Sequence, residues 1–303
     1  MVSILLKNEG ISMAHLLCIF TPTYNRAYTL RRLYNSLVSQ TSHDFYWLVV
    51  DDGSCDGTDS MMSAFMLEGK IEIDYIRVEN GGKQRAWNVA VERSTSELFM
   101  CVDSDDFLVD DAVEIIASKW CSCKRDSSIA GIVTPRAPRT NSFPSDKPLR
   151  LSQIYADYGY RGETCIATLT EVVQNSPFWV AQGEKFIPEL YVFDRIDRDY
   201  LHMPLNQEIC KGEYMEDGYT AHYGALLVRN PLSYSEYKRQ CAEFATGLPS
   251  MARETLLYLS WQKIAGNSVF RAASRAPHRA LAYCLVPCAV LIFGRIKTIV
   301  QNS

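Results

Sequence analysis

The amino-acid sequence predicts an α/β protein: a mostly parallel sheet flanked by helices, with a helical extension at the C-terminal end. Two observations carry this. Over the first 120 residues, short β-rich apolar runs alternate with segments of helical period. From Tyr234 onward the pattern is helical, with a break near Gly247 and Pro249.

Taken in order, "HLLCIF" is a first strand, and "TLRRLYNSLVSQ" follows with Leu30, Leu33, Tyr34, Leu37 and Val38 at helical spacing. "FYWLVV" is a buried strand and "GTDSMMSAFMLE" a helix. "IEIDYIRV" alternates as a strand, and "KQRAWNVAVERS" reads as a helix with Ala86, Val89, Ala90 and Arg93 on one side. "ELFMCV" is a further strand and "DAVEIIASKW" its helix. The middle is less regular. "TPRAPRTNSFPSDKP", from Thr134, reads as an exposed loop or lid. "ETCIATLTEVVQ" begins as a strand. "ELYVFDRIDRDY" has Leu190, Phe193 and Ile196 at helical spacing, and "YLHMPLNQEIC" reads as one strand returning to the sheet.

With 303 residues, 47% of them hydrophobic and 22% charged, the chain is an ordinary globular protein of one large or two ordinary domains. A net charge of −4 leaves no nucleic-acid footprint. The ten cysteines form no CxxC pair and the five histidines do not fall at zinc-ligand spacing, so the thiols read as reduced. The N-terminal stretch lacks the pattern of an export signal, Met13 is a candidate start, and a cytoplasmic location is expected. Leu281 to Gly294 carries no charge, and as a helix its fourteen residues would reach about 21 Å, short of a hydrocarbon core of about 30 Å. Arg271, Arg275, Arg279, Arg295 and Lys297 flank it. Two readings stay open: a helix packed on the domain, or a segment lying peripherally on a membrane face.

In open parallel sheets, ligands bind beyond the carboxyl ends of the strands. Four predicted strands end in "TPTYNR", "DDGSCDGT", "ENGGKQRA" and "DSDD", so all four turns should share one edge. An Asp there can accept a hydrogen bond from a nucleobase N–H. Gly81 and Gly82 allow close approach of backbone to phosphate, with Lys83 beside them. "GGKQ" is not a P-loop, because Arg77 and Gln84 stand where that motif needs Gly and Ser or Thr. "DSDDFLVDDAVE" is not an EF-hand, because Leu108 replaces its Gly and Phe107 a ligand. Two carboxylates about 5 Å apart repel by roughly 3 kcal/mol at an effective dielectric near 20. A cation offsets this, so Asp103 and Asp105 read as a hard-oxygen site for Mg²⁺ or Mn²⁺ shared with substrate phosphates. Asp110 and Asp111 read as caps of the next helix, and Asp106 has no assigned role.

In this order and spacing, "TPTYNR", "LVVDDGSCDGT", "GGKQRAWNVAV" and "VDSDD" resemble the inverting family 2 glycosyltransferases of the GT-A fold, over about Leu16 to Trp120. The resemblance implies a Rossmann-like GT-A sheet and a nucleotide-sugar donor, usually UDP-linked, with Mg²⁺ or Mn²⁺ on its diphosphate. It places Pro22 and Tyr24 at the nucleoside, Asp52 at the uracil ring and Lys83 near the diphosphate or ribose. Asp103 would touch the ribose or metal shell, and Asp105 would ligate the metal. Residues 14–120 would form the donor half, 121–230 the acceptor half and 231–303 the C-terminal helical region.

Inversion needs a carboxylate to take the acceptor's hydroxyl proton. The family places it some way after the metal motif, often as the second member of a Glu-Asp pair opening a helix. Glu189 lies at the expected distance and opens a helix containing "FDRI", but follows Pro188. Asp217 has the Glu-Asp pair but lies later, in an Asp-Gly turn signal. Glu189 is favoured, and Asp217 is kept as the alternative. The acceptor would be a polysaccharide or lipid-linked saccharide. A non-catalytic nucleotide-sugar-binding or assembly protein and a sugar nucleotidyltransferase remain as other readings.

Overall fold

A computed structural model describes residues 15–138, 141–143, 145–212 and 223–301, with side chains to Phe293. Met13 lies outside this range. Strands β1 (Leu17–Thr23), β2 (Phe45–Asp51), β3 (Ile73–Arg77) and β4 (Leu98–Cys101) alternate with helices α1 (Ala27–Val38), α2 (Thr58–Glu68) and α3 (Lys83–Arg93). All four strands are parallel, in the order β3-β2-β1-β4. Thr23 sits opposite Asp51, and Asp51 opposite Arg77, so the turns do share one edge.

Helices on both faces explain why "FYWLVV" shows no polar alternation, since every residue of β2 is buried. On one face Leu17, Ile19, Trp47 and Val49 pack with Leu33 and Leu37 of α1 and Phe65 of α2. On the other, Cys18, Phe20, Leu48 and Val50 pack with Trp87 and Ala90 of α3. The buried face of α3 is Gln84, Ala86, Trp87, Ala90 and Val91. This corrects the predicted face: Val89 is only partly buried, and Arg93 turns outward to pair with Asp74 at 2.6 Å. Trp87 decides the rotation, because its ring contacts Phe20, Phe99, Phe178 and Phe193.

After β4 come a short strand β5 (Asp106–Leu108) and helix α4 (Ala112–Cys123). Strand β6 (Ile129–Ala137) follows, then α5 (Leu151–Ala156), β7 (Thr164–Leu169) and α6 (Thr170–Gln174). Helix α7 (Leu190–Asp199), β8 (Leu201–Pro204) and β9 (Cys210–Gly212) complete this part. The sheet continues across β4 through antiparallel β7 to β6, and then to β9 and β5.

Three expectations are corrected here. Thr134 to Ala137 is not loop but the end of β6, with Thr134 buried and Pro135 opposite Thr164. Long-range pairing with β7 overrides the local Pro and Arg signal. The single returning strand is two, with β8 and β9 both pairing parallel to β6. On α7 the inward residues are Tyr191, Val192, Phe193 and Ile196, while Leu190 is exposed.

Helices α8 (Tyr223–Arg229), α9 (Pro231–Phe244), α10 (Leu248–Ile264), α11 (Val269–Ala273) and α12 (Arg279–Gln301) close the chain. The break between α9 and α10 falls at Gly247, whose φ of 82° suits glycine. Helix α12 is longer than the fourteen residues expected and passes through Pro287. No helix among the described residues is long and apolar enough to cross a membrane. All ten cysteines are free thiols.

Candidate active site

An open cleft of about 1460 Å³ lies beyond the carboxyl ends of β1 to β4. Ligand pockets usually hold about 300–1000 Å³, so there is room for more than one substrate. Pro22, Tyr24, Asp52, Lys83, Asp103, Asp105 and Glu189 all line it. The expected site residues are therefore brought together, except Asp217, which lies outside the described residues.

The first two turns are stitched to each other. Asn25 has a left-handed φ of 52°, and its backbone N–H donates to Ser54 Oγ at 2.9 Å. In return its Oδ1 accepts from the Cys55 N–H at 2.7 Å. Asp51 is spent on structure, accepting from Ser54 N–H at 2.8 Å and from the Tyr75 hydroxyl at 2.8 Å. Asp52 accepts from the Gly81 and Gly82 N–H groups at 2.7 and 2.8 Å. Burial pushes its carboxyl up, and these two N–H groups pull it back. Each oxygen keeps a second lone pair, so Asp52 fixes the glycine turn and still has acceptor capacity at the cleft.

Gly82 has a φ of 95°, and a β-carbon there would collide with the Lys185 carbonyl. Only glycine lets the loop before α7 come this close. Arg85 holds that loop, donating to the carbonyls of Gly81 and Ala181, both at 2.8 Å, and of Glu184 at 2.5 Å. Lys185 in turn donates to Asn80.

The acidic run alternates. Asp103 and Asp105 are partly exposed to the cleft, while Ser104 and Asp106 are buried. The Arg32 guanidinium donates to the Asp105 carbonyl at 2.5 Å and covers Phe107. Asp106 accepts a two-point contact from Arg136 of β6, Nε to Oδ2 at 2.8 Å and Nη2 to Oδ1 at 2.5 Å. Arg136 also meets Glu163 at 2.9 Å. Burial pushes the Asp106 carboxyl up against the pull of Arg136. Burial opposes the guanidinium's charge, yet its bond to Asp106 raises it. We take the pair as ionised, because a guanidinium keeps its proton and the fork geometry suits a carboxylate.

Asp110 and Asp111 do not cap α4 with their side chains. Asp111 occupies the N-cap position without a side-chain hydrogen bond, and Asp110 accepts from Ser39 Oγ at 2.9 Å. Cross-element bonding has taken the carboxylate that a local cap would use.

Lys83 is the hub. Its ammonium lies 2.7 Å from Asp103 Oδ1 and 2.7 Å from Glu189 Oε1. Burial alone would depress it, but the two carboxylates hold it well above its ordinary value. Glu189 sits at the N-cap position of α7 with its side chain half exposed, open to the cleft. Deeper along that helix, Asp194 also lines the cleft, and burial pushes its carboxyl up to about 6.

Sequence reasoning missed Arg32, Arg85, Arg136 and Lys185. Arg85 is two residues from Lys83 in the quoted motif and could have been weighed with it. Arg136 carried no local signal, because its role depends on β6 meeting β5 through β9.

A model of the family described as "Glycosyl transferase family 2" matches residues 18–177. Among curated relatives, glycosyltransferase GlyA of Streptococcus pneumoniae is 31% identical over 111 residues, covering 37% of this chain and 16% of that protein. Hyaluronan synthase of Pasteurella multocida is 28% identical over 129 residues, covering 43% of this chain and 13% of that protein. The chain thus spans well under two thirds of these relatives' lengths. Two solved structures show the same fold. Staphylococcus aureus TarS in complex with UDP-GlcNAc has a TM-score of 0.57 at 15% identity, covering 94% of this chain and 91% of that one. Mannosyltransferase PcManGT from Pyrobaculum calidifontis, in complex with GDP-Man and Mn²⁺, has a TM-score of 0.55 at 17% identity, covering 96% and 85%. The architecture is GT-A, and with more than half its length matched by the family model the chain belongs to glycosyl transferase family 2.

Proposed function

We propose that the protein is a metal-dependent, inverting glycosyltransferase that moves a sugar from a nucleotide-sugar, UDP-linked by preference, to a polysaccharide or lipid-linked saccharide. The observation that carries this reading is the Lys83 bridge, which joins Asp103 of the acidic turn to Glu189 across the cleft, each at 2.7 Å. The relatives and neighbours support it by name: a hyaluronan synthase, a UDP-GlcNAc complex and a GDP-Man complex with Mn²⁺.

The donor set fits a hard cation, since Asp103 and Asp105 offer carboxylate oxygens at the cleft. Among the described residues no group of three His, Cys, Asp or Glu side chains could hold a metal by itself. Asp105, with Asp103, would therefore hold Mg²⁺ or Mn²⁺ together with the donor diphosphate. When bound, the ion stabilises charge developing on that leaving group.

The protein's own residues do the rest. Pro22, Tyr24 and Asp52 form the nucleoside end of the cleft, and the glycine turn brings Lys83 to the diphosphate. Glu189 takes the proton of the acceptor hydroxyl as its oxygen bonds to the anomeric carbon. The bond from that carbon to the diphosphate breaks, its electron pair leaves with the diphosphate, and the new bond forms on the opposite face.

A panel of UDP-, GDP- and dTDP-sugars with Mn²⁺, scored for hydrolysis and transfer, tests this. One donor is expected to turn over, and Glu189→Gln is expected to abolish turnover while keeping donor binding. If Glu189→Gln stays active and Asp217→Asn does not, the base is Asp217. Neither turnover nor binding of any donor overturns the reading.

A further inference from the structure

The chain's charge is divided. From Thr255 to Ser303 there is no Asp or Glu, but there are six basic residues, Lys263, Arg271, Arg275, Arg279, Arg295 and Lys297. The first 254 residues hold the remaining 25 basic residues and all 35 acidic ones, a formal −10. A cationic end on an anionic protein needs a reason beyond solubility.

Helix α12 supplies one. One side packs inward, with Ala282, Val286 and Ala289 against Tyr258 and Leu259 of α10 and Ala272 and Ala273 of α11. The opposite side faces solvent with Ala280, Tyr283, Cys284, Pro287, Cys288 and Leu291. These positions recur at helical spacing and none carries a charge. Leu291 is 79% exposed, and Phe270 of α11, 66% exposed, lies with its ring 5.7 Å from that of Tyr283. Arg271, Arg275 and Arg279 are all exposed at this end, and among the described residues none of them forms an ion pair. Exposed apolar side chains with exposed, unpaired guanidinium groups beside them in the chain match the interfacial zone of an anionic bilayer.

The face is also placed for use. Helix α12 packs against α8 as well as α10, and Tyr223, Leu226 and Arg229 of α8 line the cleft. One helix, α8, lies between α12 and the cleft.

We propose that α11 and α12 form a docking surface for an anionic lipid bilayer, on which the protein rests peripherally. The geometry selects for a saccharide acceptor anchored in that bilayer, a consequence that rests on the proposed transferase reading.

The docking itself needs no turnover, so it is tested separately. The full chain is mixed with phosphatidylcholine vesicles containing phosphatidylglycerol and with pure phosphatidylcholine vesicles, and sedimented. At about a fivefold gain per basic group, three arginines predict roughly 100-fold stronger partitioning to the anionic vesicles, weakened by salt. Reversing all three arginines (Arg271→Glu, Arg275→Glu, Arg279→Glu) is expected to remove that preference. Leu291→Asp, at an exposed position, is expected to lower binding on both vesicle types. Both variants should keep the wild-type circular dichroism and donor hydrolysis. Equal partitioning to the two vesicle types, or arginine reversal without effect, overturns the proposal. So does a chain that ignores vesicles but forms a dimer dissolved by Leu291→Asp, since the face then serves a second copy. If no donor turns over but the vesicle results hold, the transferase reading fails and the docking surface stands.

Discussion

The two halves of the cleft, proposed above to take donor and acceptor, are built differently. In the donor half each strand delivers its own chemistry in the next few residues: β1 runs into Tyr24, β2 ends at Asp51 beside Asp52, and β4 leads to Asp103 and Asp105. In the proposed acceptor half the cleft-lining side chains come from separate places. Arg136 projects from the end of β6 and Glu189 opens α7 after a loop that Arg85 clamps. A turn at a strand end is fixed by a few neighbouring residues, whereas a side chain on a distant strand is placed only once the sheet has closed.

The largest expected effect isolates the donor half. Asp105→Asn keeps the shape of the turn, whose carbonyl is held by Arg32, but removes a charge from the cation's expected site. Transfer should fall roughly 10³-fold or more, and donor affinity should fall with it. Chelation of wild-type protein with EDTA should match this and reverse on adding Mn²⁺. Glu189→Gln, by contrast, should lose comparable turnover and keep its affinity, as measured by calorimetric donor titration. If both variants lose affinity alike, the division of labour between the halves is wrong.

This difference in construction also decides what could be read in advance. The parallel order and the shared edge follow from local patterns, apolar runs that each end in a cluster of turn residues; the donor roles of Pro22, Tyr24 and Asp52 come from the family resemblance and belong to the proposal. Glu189 was reachable as a cleft carboxylate because the family resemblance puts an acid at that distance at the start of a helix, and the structure places it at the cleft beside Lys83; its role as base is part of the proposal. Thr134 to Ala137 was misread because two prolines and two arginines within six residues look like a loop, and only the pairing with β7 and β9 makes them strand. Asp110 was misread as a cap because nothing local shows that Ser39, on the neighbouring chain segment, claims its carboxylate.

The next effect tests the tie between the halves. Asp106 and Arg136 are both nearly buried, with side-chain exposures of 7% and 11%. Arg136→Leu leaves a carboxylate without its partner in a dry place, which should cost about 3–5 kcal/mol, read as a drop in the denaturant midpoint. Asp106→Leu combined with Arg136→Leu should recover much of that stability, because an apolar pair has no charge to strand. The recovered protein should still be a poor enzyme, since the Asp103–Asp105 turn loses its anchor. Full activity in the double variant would show that the acidic turn holds its shape without the acceptor half.

The smallest effect lies wholly within the acceptor half and is visible only through pH. His202 is completely buried on β8, with Nε2 3.2 Å from Thr168 Oγ1. Its Nδ1 has no partner among the described residues. Burial lowers the imidazole from its ordinary 6.5 to about 3, so the folded protein holds it neutral. The unfolded chain takes up a proton below about 6.5 while the folded one does not. The stability that neutral His202 contributes is therefore complete above pH 6.5 and is lost progressively as pH falls from there toward 3. At pH 5 the loss should be about 2 kcal/mol. His202→Gln keeps a polar group near Thr168 and removes the titration. Urea unfolding at pH 7 and pH 5 should then show a smaller drop in the variant than in the wild type, by about that amount. An equal drop in both would mean that water reaches the imidazole, and that the acceptor half is looser around β8 than the parallel core is around β2.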